Sequence, residues 1–575
     1  MLTAKNKVNL PIWIIHFLIL SFGTSVYSQK NNSAFDFLDF PFSTNKVSNL
    51  WKIDIYGSTM KMQSDTCIIQ NGKHPIVMSN INLFNSLFIL RSYMHSSFFM
   101  PISNSEQMLV KFTAKSKNIK HAFLILSGLD KKEEILYSDT LFMHNCADWY
   151  TTTKNISIKN VAIMNCSLEV YGIDGMREQK FWLDKIEMLV DGENIKDMPL
   201  TIYPQDSLPQ LKDIQELSLS VPHAYEKLPI LKNKRILAFG ESIHGSKTIN
   251  KAVIQLIKYR IEHAHCKLVL IELPIEMTLF ADRYIQGDER FHLEALRRYL
   301  FGKKNLLYSE ELIDLCKWIK EYNKKTNSKV HLLGYDVSLS ESESARNIFN
   351  YLSTINKTVK HSGIDYICQQ LQGNNLSLKR ALYNLELNED LKKVLGIKEL
   401  GILKYCMESF CKILSPQLIL SMRNHLMWDN ADFLINAYSS PSSTVSIYTH
   451  IAHANYISDI FVNRLQPSMG ALAKKVLKED YCCIGICVGK GTFQVRSNIT
   501  SDTLSVKTLS TPPQNSLESI LEMQHLNYFY IPSTSFSYPI FMRNIGNLYN
   551  NALFEILTPK YRMDGIIYID NVESI

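Results

Sequence analysis

The stretch from Lys234 to Glu272 constrains the fold of this chain more than any other. It opens with a short apolar run at residues 236–239 and closes with a second one at residues 268–271. Between them, apolar residues recur at three- and four-residue steps, which predicts an amphipathic helix. A strand, a helix and a strand within about forty residues form a βαβ unit with parallel strands. The stretch therefore predicts an α/β domain with a mostly parallel central sheet and flanking helices.

Four of the predicted strands end in an acidic residue or a histidine. These residues are Glu241 and His244 after the first strand, Glu272 after the second, Asp336 after the third and His453 after the fourth. Ligands of open α/β sheets bind outside the carboxyl ends of the strands. If the strands are parallel neighbours, these side chains converge in one cleft, and the cleft is the predicted catalytic end of an enzyme.

The N-terminus has the pattern of a secretory signal peptide over residues 1–28. Lys5 and Lys7 precede an apolar core at residues 12–22, and Gln29 is the expected first mature residue. An uncleaved anchor is the alternative. In both cases the protein is exported, to the periplasm or cell envelope of a bacterium, and no transmembrane segment is expected after signal removal.

The mature chain is long enough for two domains. Short apolar runs separated by polar turns predict an all-β, jelly-roll-like sandwich at residues 33–197, which could bind glycan or only pack against its neighbour. Residues 198–222 contain several prolines and are expected to be a linker. The α/β domain then occupies residues 223–575, with a helical lobe at 340–440.

Composition excludes several classes of function. The net charge of +7 is spread along the chain, so no basic face for nucleic acid is expected. The eleven cysteines show no paired spacing typical of zinc sites, and no cofactor motif is present. A metal site from the strand-end residues is conceivable by ligand type but lacks tight spacing. A nucleophilic Ser242 or Ser246 lacks the G-x-S-x-G elbow.

The first strand end has the residues of a general base. His244 precedes a helix, whose positive end disfavours imidazolium and is expected to keep the ring neutral. Glu241 lies three residues earlier and can orient the ring. A neutral histidine next to a carboxylate can take a proton from water. The activated water could attack an ester or lactone carbonyl, with a cation or second imidazole at the oxyanion.

Residues 240–246, GESIHGS, resemble the G-E-x-x-H-G-[ST] signature of the erythromycin esterase family. Residues 423–430, RNHLMWDN, are similar to the R-D-x-x-M-x-x-N helix of that family. Residues 453–456, HANY, stand where the erythromycin esterase family has its H-N-x-H motif. The motifs follow in consistent order, and the resemblance covers about residues 223–575.

The resemblance implies hydrolysis of a macrolide or a related ester or lactone, without metal or cofactor. The catalytic residues carried over are His244, Glu241, Glu272 and His453. The predicted substrate-binding residues are Arg423, Tyr456, Asp336, Asp429, Lys247 and Lys251.

Three departures bear on the substrate. The family usually has a cation nine residues after the motif histidine, where this chain has Val253. Under the alignment above, Ala454 and Tyr456 replace the asparagine and second histidine. The alternatives are therefore a protein that binds a small ligand or glycan without turnover, or an enzyme of cell-envelope polysaccharide metabolism.

Overall fold

A computed structural model provides the structure of the protein. It describes residues 52–55, 61–72, 74–79, 92–99, 106–143, 145–173, 175–194, 211–220, 222–301, 309–373, 376–411, 416–457, 467–496, 503–513, 516–546 and 554–575. The predicted signal peptide lies outside these residues.

The N-terminal domain consists of two antiparallel sheets that share a hydrophobic core. Its strands are β1 (Lys52–Ile55), β2 (Lys61–Ser64), β3 (Ile76–Ser79), β4 (Ser92–Phe99), β5 (Gln107–Lys117), β6 (Ile119–Leu129), β7 (Ile135–Met143), β8 (Tyr150–Ser157), β9 (Ile163–Gly172), β10 (Lys180–Val190) and β11 (Glu193–Asn194). One sheet has the order β1-β4-β9-β6-β7 and the other β2-β3-β10-β5-β8, with β11 next to β10. Phe112 and Phe181 of one sheet and Leu124 and Leu168 of the other belong to one buried cluster. The predicted all-β sandwich is confirmed.

The C-terminal domain is built on a mixed sheet. Its strands are β12 (Gln215–Glu216), β13 (Ile236–Glu241), β14 (Cys266–Pro274), β15 (His331–Asp336), β16 (Thr444–His450), β17 (Tyr481–Arg496), β18 (Leu504–Thr508), β19 (Tyr528–Pro532), β20 (Ile540–Arg543), β21 (Phe554–Leu557) and β22 (Gly565–Val572). The sheet order is β12-β19-β22-β17-β13-β16-β14-β15, with β18 paired to β17, and β20 and β21 form a separate hairpin. Neighbours from β22 to β15 are parallel.

The helices are α1 (Pro229–Asn233), α2 (Lys247–His263), α3 (Ile275–Ile285), α4 (Leu293–Phe301), α5 (Glu310–Lys324), α6 (Glu341–Val359), α7 (Ser362–Gln370), α8 (Leu378–Leu387), α9 (Leu391–Leu395), α10 (Ile397–Cys411), α11 (Pro416–Tyr438), α12 (Ile451–Ala454), α13 (Met469–Leu477), α14 (Leu517–Glu522) and α15 (Pro559–Arg562). The run from α6 to α11 is the predicted helical lobe. Among the described residues, no helix combines the length and apolar character needed to cross a membrane.

The opening βαβ unit is present, but its two strands are not neighbours. Strand β16, which follows the helical lobe, lies between β13 and β14 and is parallel to both. In this register Glu241 is paired with His450. A strand distant in sequence thus brings a histidine between the two carboxylates of the first unit.

The segment predicted as a linker takes part in the sheet. Residues Gln215–Glu216 pair with β19 in antiparallel orientation. The amide of Leu217 also donates a 2.9 Å hydrogen bond to the carbonyl of Tyr528. The described end of this segment therefore packs as part of the α/β domain.

Candidate active site

The carboxyl ends of four parallel strands bring the predicted polar side chains together. Glu241 ends β13, Glu272 lies near the end of β14, Asp336 ends β15 and His450 ends β16. Each of these four residues is at most 8% exposed. Buried charged groups need partners, and the contacts among them define two connected groups.

The first group is a carboxylate–imidazole pair. Nδ1 of His244 lies 2.6 Å from Oε1 of Glu241. The other carboxylate oxygen, Oε2, lies 2.5 Å from the hydroxyl of Tyr448, which is also 2.6 Å from Oδ1 of Asn250. The His244 side chain is 4% exposed. Since Nδ1 is bound to the carboxylate, Nε2 is the nitrogen left for a reacting group.

The turn after β13 explains why this pair forms locally. Gly245 has φ +73°, and a Cβ there would lie 2.1 Å from the carbonyl oxygen of Gln494. Only glycine fits both requirements. The next residue, Ser246, caps helix α2 by accepting a hydrogen bond from the amide of Ile249. The chain therefore reverses sharply, and the His244 ring is directed back to Glu241.

The second group is an ion-paired network. Arg423 of α11 donates from Nε and Nη2 to the two carboxylate oxygens of Asp336, at 2.9 and 2.6 Å. Its Nη2 also lies 3.0 Å from Oε1 of Glu272. The Oε2 atom of Glu272 accepts from the hydroxyl of Thr449 and the amide of His450, each at 2.8 Å. Every oxygen of the two buried carboxylates thus has a partner.

Helix α12 adds two histidines to these groups. Nε2 of His453 lies 3.4 Å from Oε1 of Glu272, and its Nδ1 lies 2.7 Å from Oδ1 of Asn424. The ring of His450 lies next to that of His244, with 4.7 Å between centroids. The two groups therefore meet at His450, whose amide binds Glu272 and whose ring contacts His244.

The pKa of His244 lies above its ordinary value. Burial lowers it, but the hydrogen bond and charge of Glu241, with the charge of Glu272, outweigh burial. This direction is opposite to the one expected from the helix end alone. Burial also raises the pKa of Glu241, against the opposing hydrogen bonds from His244 and Tyr448. The pair therefore holds a proton on the His244 ring to higher pH than a free imidazole does.

The second group has the opposite character. Burial raises the pKa of Glu272, but the charges of His453, His244 and Arg423 and the His450 amide lower it well below its ordinary value. Burial and the charge of Arg423 lower the pKa of His453 to about 4, against the charge of Glu272. Burial and the neighbouring His244 hold the pKa of His450 well below its usual range. Glu272 is therefore ionised and both histidines of this group are neutral near pH 7.

Four predicted substrate-binding residues lie apart from these contacts. The hydroxyl of Tyr456 binds Asp564 and accepts from the amide of Cys483. Lys247 is paired with Glu573 at 2.6 Å, and Lys251 and Asp429 are exposed on their helices. Arg423 and Asp336, in contrast, lie in the centre of the site.

Five residues of the site were not predicted from sequence. They are His450, Tyr448, Thr449, Asn250 and Asn424. The spacing of His450 and His453 matches the H-N-x-H motif, with Ile451 at the asparagine position, so the motif fits residues 450–453 better than residues 453–456. That spacing was the available signal for His450. The second histidine of the motif is then retained, whereas Val253 is fully buried and supplies no cation.

The structure also shows the surroundings of the residues considered as metal ligands or as a serine nucleophile. Among the residues that the structure describes, no group of three or more histidine, cysteine or acidic side chains has the geometry of a metal site. The guanidinium of Arg423 lies between Glu272 and Asp336, two of the residues considered as ligands. Ser242 is fully buried, and Ser246 serves as the cap of α2.

Comparison with known proteins finds one family model and several distant relatives. The family model described as erythromycin esterase matches residues 261–376 and 412–572. The putative hydrolase YbfO of Bacillus subtilis strain 168 is 21% identical over 408 residues, which span 60% of this chain and 85% of YbfO. A solved succinoglycan biosynthesis protein has a TM-score of 0.47 at 17% identity, covering 63% of this chain and 95% of its own. A mutant of the erythromycin esterase EreC, solved in its open conformation, has a TM-score of 0.43 at 16% identity, covering 62% of this chain and 97% of its own.

Proposed function

The C-terminal domain belongs to the erythromycin esterase family of hydrolases, and from this premise we propose that the protein hydrolyses a small ester or lactone with a water activated by His244. The observation that supports this mechanism is the buried 2.6 Å contact between Glu241 and Nδ1 of His244. A carboxylate on Nδ1 fixes the tautomer and leaves Nε2 to accept a proton, as in hydrolases that activate an oxygen nucleophile.

In the first step, Nε2 of His244 takes a proton from water while the water oxygen attacks the carbonyl carbon. The charge of Glu241 stabilises the imidazolium that forms, which agrees with the raised pKa of His244. The carbonyl π electrons move to oxygen and give a tetrahedral oxyanion. On collapse, the bond to the leaving oxygen breaks and that oxygen takes the proton from His244, giving a carboxylic acid and an alcohol.

The neutral ring of His450 is suited to stabilise the oxyanion. Its Nδ1 accepts from the Ala452 amide at 3.4 Å, so Nε2 carries the hydrogen. Nε2 is buried without a hydrogen-bond partner among the described residues. The backbone of Ile545 acts against burial and raises the pKa of the ring. A buried, pre-oriented donor next to the base contributes most when negative charge develops.

The ion-paired network holds this machinery in place. Arg423 joins the ends of β14 and β15 through Glu272 and Asp336. Glu272 in turn accepts a hydrogen bond from the amide of His450, the residue that precedes α12. A quarter of the Arg423 side chain, 24%, stays exposed, so we propose that it also contacts a polar group of the substrate. Macrolides are one candidate substrate class.

A panel of esters and lactones that includes macrolides tests the proposal. Purified protein and its His244→Ala variant are compared, with His263→Ala as control because His263 lies on the same helix and is 47% exposed. We expect His244→Ala to lower kcat/KM by about 10³-fold on any substrate that is cleaved. The control should retain full activity.

Two results would contradict the hydrolase mechanism. Equal turnover in the two proteins would show that His244 is not the base. Saturable binding of a lactone or glycan with no turnover in the unmodified protein would favour the binding-protein alternative. Turnover of a cell-envelope polysaccharide, but of no ester or lactone, would support the alternative of an enzyme of polysaccharide metabolism.

We further propose that the protein is exported by residues 1–28. The supporting feature is the order of a basic start, an apolar core and small residues before Gln29. Expression in a bacterium followed by fractionation and N-terminal sequencing checks this. A periplasmic product beginning at Gln29 is expected, and a full-length product in the cytoplasm would contradict it.

A further inference from the structure

The turn between β6 and β7 inserts a carboxylate from the β-sandwich into the C-terminal domain. Glu133 lies in this turn with φ +68° and is only 6% exposed. Its Oε1 accepts from the amide of Thr558 at 2.6 Å. The Thr558 hydroxyl donates back to the carbonyl of Lys131 at 2.9 Å. The contact between the domains is thus a specific polar joint.

The centre of this joint is a buried ion pair. Oε2 of Glu133 accepts from Nε and Nη2 of Arg562 at 2.8 and 2.5 Å. The two side chains are 2% and 9% exposed. Such a pair contributes little net stability, but loss of one partner leaves an uncompensated buried charge. The position of Arg562 therefore depends on a residue more than 400 positions away.

Arg562 connects this joint to the helix that carries His453. Its Nη1 lies 3.5 Å from Oδ1 of Asn455, and its carbonyl accepts from the Tyr456 amide at 2.9 Å. The Nδ2 atom of Asn455 donates to the carbonyls of Ile451 and Ala452 at 3.0 and 3.2 Å. Asn455, which caps the C-terminal end of α12, thus binds two carbonyls of the helix that carries His453.

A helix of four residues depends on such outside contacts, because one turn cannot offset its own nucleation cost. On one side α12 packs on Gly240, where a Cβ would lie 3.0 Å from the Cα of Ile451. At its C-terminal end the Asn455–Arg562–Glu133 series supports it. The support at the C-terminal end comes from the β-sandwich, because Glu133 belongs to that domain.

We propose that Glu133 is a positioning residue for the active site. It acts through Arg562 and Asn455 to hold α12, with His450 before it and His453 within it, against Glu272. The expected effect on catalysis rests on the proposed function. The expected effect on the position of α12 does not. The β-sandwich is then a part of the active-site scaffold, whether or not it also binds glycan.

The test uses the full chain with Glu133 and Arg562 replaced together by Glu133→Leu and Arg562→Met. The single change Glu133→Gln leaves Arg562 buried and unpaired, whereas an apolar pair of similar volume retains the fold in comparable cases. Amide hydrogen exchange of residues 449–457 is measured by mass spectrometry, together with kcat and KM. The control is Thr558→Val, which removes the hydrogen bond to Lys131 but leaves the ion pair intact.

We expect exchange of the α12 segment to be about tenfold faster in the double variant, with the β13 segment unchanged. On a cleaved substrate, kcat should fall about tenfold with little change in KM, because the reacting groups lose alignment. In the single variant Glu133→Asp, which keeps the charge, residues 449–457 should be better protected from exchange than in the double variant. The Thr558→Val control should match the unmodified protein.

Unchanged exchange of residues 449–457 in the folded double variant would overturn the proposal. So would exchange that is faster throughout the C-terminal domain, because that result shows general destabilisation. Faster exchange confined to α12 in a protein that cleaves no substrate would support the positioning role and refute the proposed hydrolysis.

Discussion

The two halves of the site use buried carboxylates in opposite ways. Glu241 has one imidazole and one hydroxyl as partners. Burial raises its pKa, whereas its own hydrogen bond and charge raise the pKa of His244 against the effect of burial. Glu272 has a guanidinium, a backbone amide and a hydroxyl, and its pKa is lowered well below the ordinary range. The first half can hold or release a proton near neutral pH. The second half has a fixed charge.

This difference separates chemistry from scaffold. A general base must take up and release a proton during the reaction. Nε2 of His244 is the nitrogen left for that role, whereas Glu272 stays ionised. The second half ties three strands and two helices together through full ion pairing. His450 belongs to both, because its amide is held by Glu272 and its ring contacts His244.

The largest expected effect comes from breaking the scaffold half. Arg423→Ala leaves Glu272 and Asp336 buried without their cation, and we expect it to lower the free energy of unfolding by about 3–5 kcal/mol at pH 7. Glu272 has a lowered pKa in the folded state, so its contribution to stability is present above its ordinary pKa of 4.5 and is lost as the pH falls below it. Urea denaturation at several pH values measures this.

The deficit of Arg423→Ala should therefore shrink below pH 4.5, where protonation of Glu272 removes its uncompensated charge. His425→Ala is the control, because His425 is exposed on the same helix. A deficit that does not change with pH would show that Arg423 stabilises by packing alone.

The next effect comes from the residue shared by both halves. His450→Ala should lower kcat by about 10²–10³-fold with little change in KM, because an oxyanion donor acts in the transition state. His450→Gln retains an N–H donor and should lose less. Loss of the cap on α12 should lower the free energy of unfolding by about 1–2 kcal/mol, while the backbone contact with Glu272 remains. Steady-state kinetics and thermal unfolding check both points, and an unchanged kcat in His450→Ala would exclude the donor role.

The smallest effect comes from the packing that joins the halves. A Cβ at Gly240 would lie 2.6 Å from Cδ1 of Ile451 and 3.1 Å from the Cβ of Ala454. Gly240→Ala should therefore displace α12 and cost about 1–3 kcal/mol, as overpacking does. Gly401→Ala, in α10, meets no atom within 4 Å and should stabilise by up to about 1 kcal/mol. Equal unfolding midpoints for the two variants would contradict this packing.

Local patterns predict the first half of the site well. Glu241 and His244 are three residues apart at a strand end, so their contact depends on one turn whose glycine and cap are visible in the sequence. The strands, the amphipathic helix α2 and the helical lobe follow from periodicity in the same way. Placement of Glu272, Asp336 and Arg423 in one site required only parallel strands and the helix motif.

Strand order is the property that sequence did not provide. Insertion of β16 between β13 and β14 brings Tyr448 to Glu241 across 207 positions and to Asn250 across 198. No local pattern encodes such a neighbour. Tyr456 was assigned to the site because it was placed at the second histidine of the H-N-x-H motif, but Asn455 ends α12 and the hydroxyl of Tyr456 binds Asp564. Lys247 is directed to Glu573, which follows the last strand.

The dependence of kcat/KM on pH, in the unmodified protein and in Glu241→Gln, tests the central claim most directly. With Glu241 present, the pKa of His244 lies above 6.5, so activity should rise through a limb above pH 6.5 as the ring loses its proton. Glu241→Gln removes the charge that holds this proton, so the limb should move to lower pH and the plateau should fall. A limb at the same pH in both proteins would contradict the assignment of Glu241 and His244 as the proton-accepting pair.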